Sequence, residues 1–320
     1  MAPAEPQAGV VTNWRTIDVH HHLVPPVYFK EVDPLFHLHE PLRRWSPERS
    51  IEDMERAGVA SAILSVTTPG FWFKDVALAR RLTRASNEYA AGLVAKYPGR
   101  FGMFAALPLP DIEGSLAELA YGLDVLKADG IGLFTSYRDC WLGDPRFEPV
   151  MEELNRRKAV VYTHPNVADC CVNLIPDVAP PQIEYQTDTT RAIANMIFSG
   201  ATVRHADIRF IWSHAGGTMP FLLERFVNTA KNPKLAQRLP HGVMHEITKC
   251  FYDTAQTSNR ICMHALSEVV ETSQILFGTD YPYRTSLDHV KGLAGCHFGQ
   301  AELRQIHREN ALLLLPRFGD

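Results

Sequence analysis

The chain has 320 residues, 46% hydrophobic and 21% charged, with a formal net charge of -4. This is globular composition, with enough apolar material for one large core. It shows neither the basic footprint of a nucleic-acid binder nor an apolar run long enough to span a bilayer, so neither nucleic acid nor a membrane is expected as a partner.

Residues 1–15 are rich in Ala and Pro and have neither a basic stretch nor the apolar centre of a signal peptide. They read as a disordered tail ahead of one domain over 16–320. Short apolar runs then recur at 16–20, 59–66, 101–107, 130–134, 159–163, 208–212, 250–253 and 274–277. They do not alternate in polarity, as expected for parallel strands buried on both faces. Helical patterns separate them at 47–57, 75–97, 114–128, 145–157, 189–199, 220–229 and 259–268, with a last pair over 286–315. Eight βα repeats in order predict an α/β fold of the (β/α)8, TIM-type barrel class. Two connections, 24–46 and 166–188, look long and irregular and would lie over the substrate face. The six cysteines are scattered without a CxxC pair, which predicts free thiols and a cytoplasmic setting.

Fourteen histidines make position decisive. The first strand ends in Asp18-Val19-His20-His21-His22. Alternate side chains on a strand share a face, so His20 and His22 point into the barrel mouth and His21 points away. The strand Val160 to Thr163 ends in His164, the run Arg209 to Trp212 leads to Ser213-His214-Ala215-Gly216-Gly217, and Ile275 to Phe277 leads to Gly278-Thr279-Asp280. A lone histidine at a strand end is more often structural, and a lone Asp more often a helix cap. Four strands ending in metal-capable groups on one rim are a different matter. Imidazoles with a carboxylate suit Zn²⁺, Mn²⁺ or Fe²⁺, and an incompletely filled shell is what a catalytic centre needs.

These motifs resemble the amidohydrolase superfamily. Within it they are closest to the branch typified by aminocarboxymuconate semialdehyde decarboxylase, through Asp18 to His22, Val161 to Pro165, His214 to Gly217 and Gly278 to Pro282. Leu107 to Asp111 and Asp188 to Arg191 bring the chain nearest to 6-methylsalicylate decarboxylase-like members. The resemblance implies a metal-dependent carboxy-lyase acting on a small carboxylate, a hydroxylated aromatic acid of salicylate type. It implies His20, His22, His164 and Asp280 as ligands of one divalent ion, Zn²⁺ first and Mn²⁺ second. Asp280 would also shuttle the proton, and His214 would act as acid/base or hold a metal-bound water. It further implies a homodimer or higher homo-oligomer, with Arg225, Lys231 and Lys234 in the region where a neighbour completes the site.

Two departures from the branch stand out. Ala215 occupies a usual glycine position, and residues 130–136 contain no lysine, which argues against a two-metal site bridged by carbamylated lysine. Arg43, Arg44 and Arg191 are the candidates for holding a carboxylate. Phe71, Trp72, Phe73, Tyr137, Trp141, Tyr281 and Tyr283 are candidates for flanking a ring, Phe71-Trp72-Phe73 above all because three aromatics in a row cannot all face the core. The same ligands would serve a metal-dependent hydrolase of a lactone, amide or C–C bond, and a binder without catalysis is the remaining reading.

Overall fold

The computed structural model describes residues 14–319, so the tail expected at 1–15 lies outside the described residues apart from Trp14 and Arg15. Eight parallel strands follow one another in chain order: β1 (Thr16–His22), β2 (Val59–Ser65), β3 (Phe101–Ala106), β4 (Gly130–Phe134), β5 (Val160–His164), β6 (Arg209–Trp212), β7 (Phe251–Asp253) and β8 (Ile275–Leu276). The sheet closes on itself. Val19 donates to the Phe277 carbonyl at 3.0 Å, Asp280 to that of His20 at 2.9 Å and His22 to that of Tyr281 at 2.8 Å, and His21 bridges Tyr281 in parallel register. The (β/α)8 barrel expected from the repeats is the fold observed.

The strands form where β-branched and aromatic residues cluster, and the helices start where the sequence offers caps. Ser46, Asp75, Asp111 and Asn259 each accept an amide of the first helical turn, which satisfies donors that the helix itself leaves open. The helix Pro47–Ala57 ends on Gly58 at φ 71°, the left-handed stop that glycine adopts without strain.

Three segments differ from expectation. Residues 24–46 are not mainly irregular: they form the helices Pro26–Phe36 and Glu40–Arg43. Pro26 starts the first as a residue with no amide to orphan, and its apolar face buries Tyr28 and Val32. The internal Pro34 interrupts the pattern that would have announced it. The helix expected over 114–128 is Ile112–Ala120 followed by a π turn, Tyr121–Val125. The helix Gly242–Thr248 was not anticipated.

The lower barrel interior is filled by Ile17, Val19, Ile63, Phe104, Val160, Tyr162, Ile211 and Leu276, closed by Ala311, Leu314, Leu315 and Phe318 from the end of the chain. Tyr162 stacks on Phe104 with centroids 5.2 Å apart and meets the His20 ring edge-on at 5.1 Å. The interior is thus packed up to the level of the histidines.

Beside β8, His307 is buried, stacked on Phe277 at 4.7 Å, with Nδ1 3.0 Å from Thr16 Oγ1. Burial pushes this imidazole down from 6.5 to about 4. The unfolded chain takes up a proton below pH 6.5 that the folded chain refuses until about pH 4. Its contribution is therefore absent above pH 6.5 and becomes a growing loss of stability as the pH falls through that window. His307→Gln should flatten the fall of unfolding free energy by up to about 1.4 kcal/mol per pH unit there, read from urea unfolding at a series of pH values.

Candidate metal centre

β1 departs from simple alternation. Its register against β2 shifts between Asp18 and His21, a local irregularity of the kind that re-aims side chains. Ile17 and Val19 fill the barrel below the shift, and His20 and His22 face inward above it. The shift leaves the His20 amide without a strand partner, and Asp18 Oδ1 accepts it at 3.0 Å. Asp18 also takes the Thr279 amide at 3.2 Å and the Thr279 hydroxyl at 2.6 Å, so it ties β1 to the segment that carries Asp280. His21 points outward as expected. Its ring spans Asp18 Oδ2 at 2.9 Å and Ser50 Oγ at 3.1 Å in the surrounding helix Pro47–Ala57.

Each of the three inward histidines has its Nδ1 beside an acceptor. His20 Nδ1 lies 2.8 Å from Asp253 Oδ2, His22 Nδ1 3.3 Å from the Ser65 carbonyl, and His164 Nδ1 2.8 Å from the Pro165 carbonyl. With the proton on Nδ1, the Nε2 lone pair is free to face the centre, the arrangement that orients metal-ligating imidazoles. The Nε2 atoms converge on Asp280 Oδ1, at 2.8 Å from His22, 3.2 Å from His20 and 3.9 Å from His164. Ligand atoms of His20, His164, His214 and Asp280 all lie within 4.8 Å of one another, and His22 Nε2 is 3.2 Å from His20 Nε2.

His214 differs from the other three. Its Nε2 faces the other carboxylate oxygen, Asp280 Oδ2, at 3.5 Å, and its buried Nδ1 has no partner. Gln256 Nε2 donates to the same oxygen at 2.9 Å. Oδ1 therefore meets the three anchored imidazoles, and Oδ2 meets His214 and Gln256. His214, Ala215 and Asp280 all have positive φ, 53°, 55° and 63°, a conformation that costs an L-residue about 1–2 kcal/mol. Gly217, also at positive φ (70°), has a second reason to be glycine: a Cβ there would lie 2.2 Å from the Gln186 carbonyl. Its small size lets the turn approach the helix Glu184–Phe198.

Burial disfavours a charged His20, but Asp253 and Asp280 outweigh it and raise this imidazole to about 10. Burial lowers His22 and takes His164 down to about 3. Burial acts to raise Asp280, yet hydrogen bonds from the histidines hold it well below the usual carboxylate range. The carboxylates of Asp253 and Asp280 thus favour positive charge where the imidazole nitrogens converge, and a cation there would take the place of a proton on His20 Nε2. That donor set fits one divalent cation.

A cavity of about 470 Å³ opens over this centre, bounded by His164, His214 and Asp280 at its floor and by His39, Tyr185, Gln186, Gln256, Tyr283 and Arg284 among others. Of the candidates for substrate contact, Tyr283 lines this cavity, and Arg43, Arg191, Phe71, Trp72 and Tyr281 lie elsewhere. Arg43 turns to Asp33 at 3.5 Å. Arg191 donates to Cys171 Sγ at 3.2 Å. Phe71 is buried edge-on against Tyr28, Trp72 is not among the lining residues, and Tyr281 stacks on His21 at 4.6 Å. Arg284 lines the cavity instead and has no ion-pair partner among the described residues. Asp253 was likewise passed over, although it ends β7 as Asp280 follows β8.

The sequence comparisons agree with this geometry. A family profile described as amidohydrolase matches residues 17–317. A decarboxylase of Aspergillus niger is 36% identical over 94% of this chain and 88% of its own length. The 6-methylsalicylic acid decarboxylase of Penicillium expansum is 34% identical over 94% of this chain and 96% of its own. Among solved structures, a dihydroxybenzoic acid decarboxylase of Polaromonas, crystallised with manganese and 2-nitroresorcinol, superposes with a TM-score of 0.79 at 18% identity, over 94% of this chain and 96% of that one. At that identity the likeness is one of fold.

Asp253 accepts from His20 and, through Oδ1, from the His214 amide at 2.8 Å. Asp253→Asn keeps its volume but loses one acceptor. It should weaken divalent-metal binding by about 10–100-fold, measured by competition with a chromogenic chelator, with little change in the circular dichroism spectrum.

Proposed function

The chain belongs to the amidohydrolase family, and from that premise we propose that it is a metal-dependent decarboxylase of a small hydroxylated aromatic acid, with His20, His22, His164 and Asp280 as metal ligands. The observation that carries this reading is the split carboxylate of Asp280, with one oxygen facing three oriented imidazoles and the other facing His214. Relatives that are decarboxylases by name along nearly their whole length support the reaction class. Zn²⁺ is the first expectation for the ion and Mn²⁺ the second, since both accept imidazole with carboxylate.

When bound, the cation supplies a Lewis acid that holds substrate oxygens and their charge. The protein residues do the rest. Asp280 Oδ2 and His214 Nε2, 3.5 Å apart, are the pair that would hold the proton for the ring carbon bearing the carboxylate. Once that carbon is protonated, the C–C bond breaks, its electrons return to the ring and CO2 leaves. Asp280, a carboxylate at rest, would take that proton from His214, pass it to the ring carbon and end as a carboxylate again, with His214 reprotonated from solvent. Gln256, donating to Oδ2 at 2.9 Å, fixes the orientation of the carboxyl group. Tyr185 and Tyr283 line the cavity as an aromatic wall, and Arg284 offers the charge that holds an anionic substrate.

The test is CO2 release from a panel of ortho-hydroxybenzoates by enzyme stripped with chelator and reloaded with Zn²⁺ or Mn²⁺. Activity should vanish on stripping and return with the ion. His214→Ala should lower kcat by about 10²–10⁴-fold. Ring opening of lactones without CO2 from any hydroxybenzoate would replace this reading with the hydrolase. Arg284→Gln should raise KM by about tenfold and change kcat by less than about threefold, as expected of a group that binds substrate and transition state alike.

A further inference from the structure

The loop between β5 and the helix Glu184–Phe198 carries two adjacent cysteines that the reaction above does not use. They lie in the single turn Asp169–Cys171. Cys170 is exposed and Cys171 buried, yet their sulfurs lie 2.7 Å apart. The backbone holds them there, since the Cys170 amide donates to Asp139 Oδ1 at 2.9 Å and the Cys171 amide to the Ala168 carbonyl at 2.8 Å. Arg191 brings its Nη1 to 3.2 Å from Cys171 Sγ. The Cys170 thiol is pushed up to about 11, first by its hydrogen bond to Cys171, so it keeps a proton directed at its neighbour. The same loop lends Ala179, Pro181 and Gln182 to the cavity wall.

We propose that Cys170 and Cys171 form a redox modification site, a vicinal dithiol that hydrogen peroxide converts to an intramolecular disulfide. Arg191 stabilises the negative charge on the Cys171 sulfur as it attacks one peroxide oxygen. The O–O bond breaks, hydroxide leaves and Cys171 becomes a sulfenic acid. The Cys170 sulfur then attacks the Cys171 sulfur, the S–O bond breaks, and the Cys170 proton leaves with that oxygen as water. The hydroxide takes up the proton that Cys171 gave to solvent. Two thiols and one peroxide become one disulfide and two waters. Adjacent Cα atoms stand about 3.8 Å apart, short of the usual disulfide span, so thiols reverse the bond readily.

The experiment treats the full chain with equimolar hydrogen peroxide, alkylates it under denaturing conditions and maps the peptides by mass spectrometry. The peptide containing both residues should lose two hydrogens and both alkylation sites, and dithiothreitol should restore them. Arg191→Gln should slow the conversion by about tenfold. In Cys170→Ser the sulfenic acid on Cys171 should be trapped by dimedone. The site is refuted if both thiols stay as open to alkylation as Cys262, or if sulfinate accumulates on either without a disulfide. Dimedone on Cys170 in Cys171→Ser, with none on Cys171 in Cys170→Ser, overturns the assigned order.

Discussion

Three imidazoles can aim lone pairs at one point only if something holds each ring by its other nitrogen. Here the holders are Asp253, the Ser65 carbonyl and the Pro165 carbonyl, and two of these three are backbone atoms of the barrel itself. The orientation of the centre is therefore a property of the sheet. Moving a strand would turn a ring, and turning a ring would break the convergence on Asp280. His214, with no partner at Nδ1, lies outside this scheme, in keeping with the separate role proposed for it.

The second constraint is the shift in β1. A regular strand would have forced a choice between filling the barrel with Ile17 and Val19 and turning His20 and His22 inward. The irregularity allows both, and its cost is one unpaired amide, which Asp18 satisfies from the side chain. That same carboxylate reaches across to Thr279. One acidic residue thus repairs the strand and sets the spacing between the two ends of the ligand set.

Much of this was legible before any coordinates. His20, His22, His164, His214 and Asp280 stand at or just after strand ends, and the ends of parallel strands in a closed barrel share one rim, so position along the chain translated directly into position in space. The role of Asp18 was not legible, because the alternation rule places it with His20 and His22, and only a break in register separates them. Asp253 was legible in principle: the run Phe251-Tyr252-Asp253 ends in a carboxylate as the Asp280 segment does. Arg284 and His39 were not, because they sit on connections whose paths are set by packing. The aromatic run Phe71-Trp72-Phe73 misled for a related reason. Its first ring completes a core with Tyr28 and Val32 of the helix Pro26–Phe36, and that helix was hidden by its own proline.

The closure of the sheet has a consequence for how the protein is made. His22 and Asp280 are 258 positions apart in the chain, and β1 finds its second neighbour only in β8. During synthesis the first histidines leave the ribosome long before their carboxylate partner is translated, and domains made this way complete their packing only once the last element emerges. The convergence of the four side chains must therefore be among the final events of folding. A chain cut short before β8 would keep seven of the eight strands and still lack a working centre.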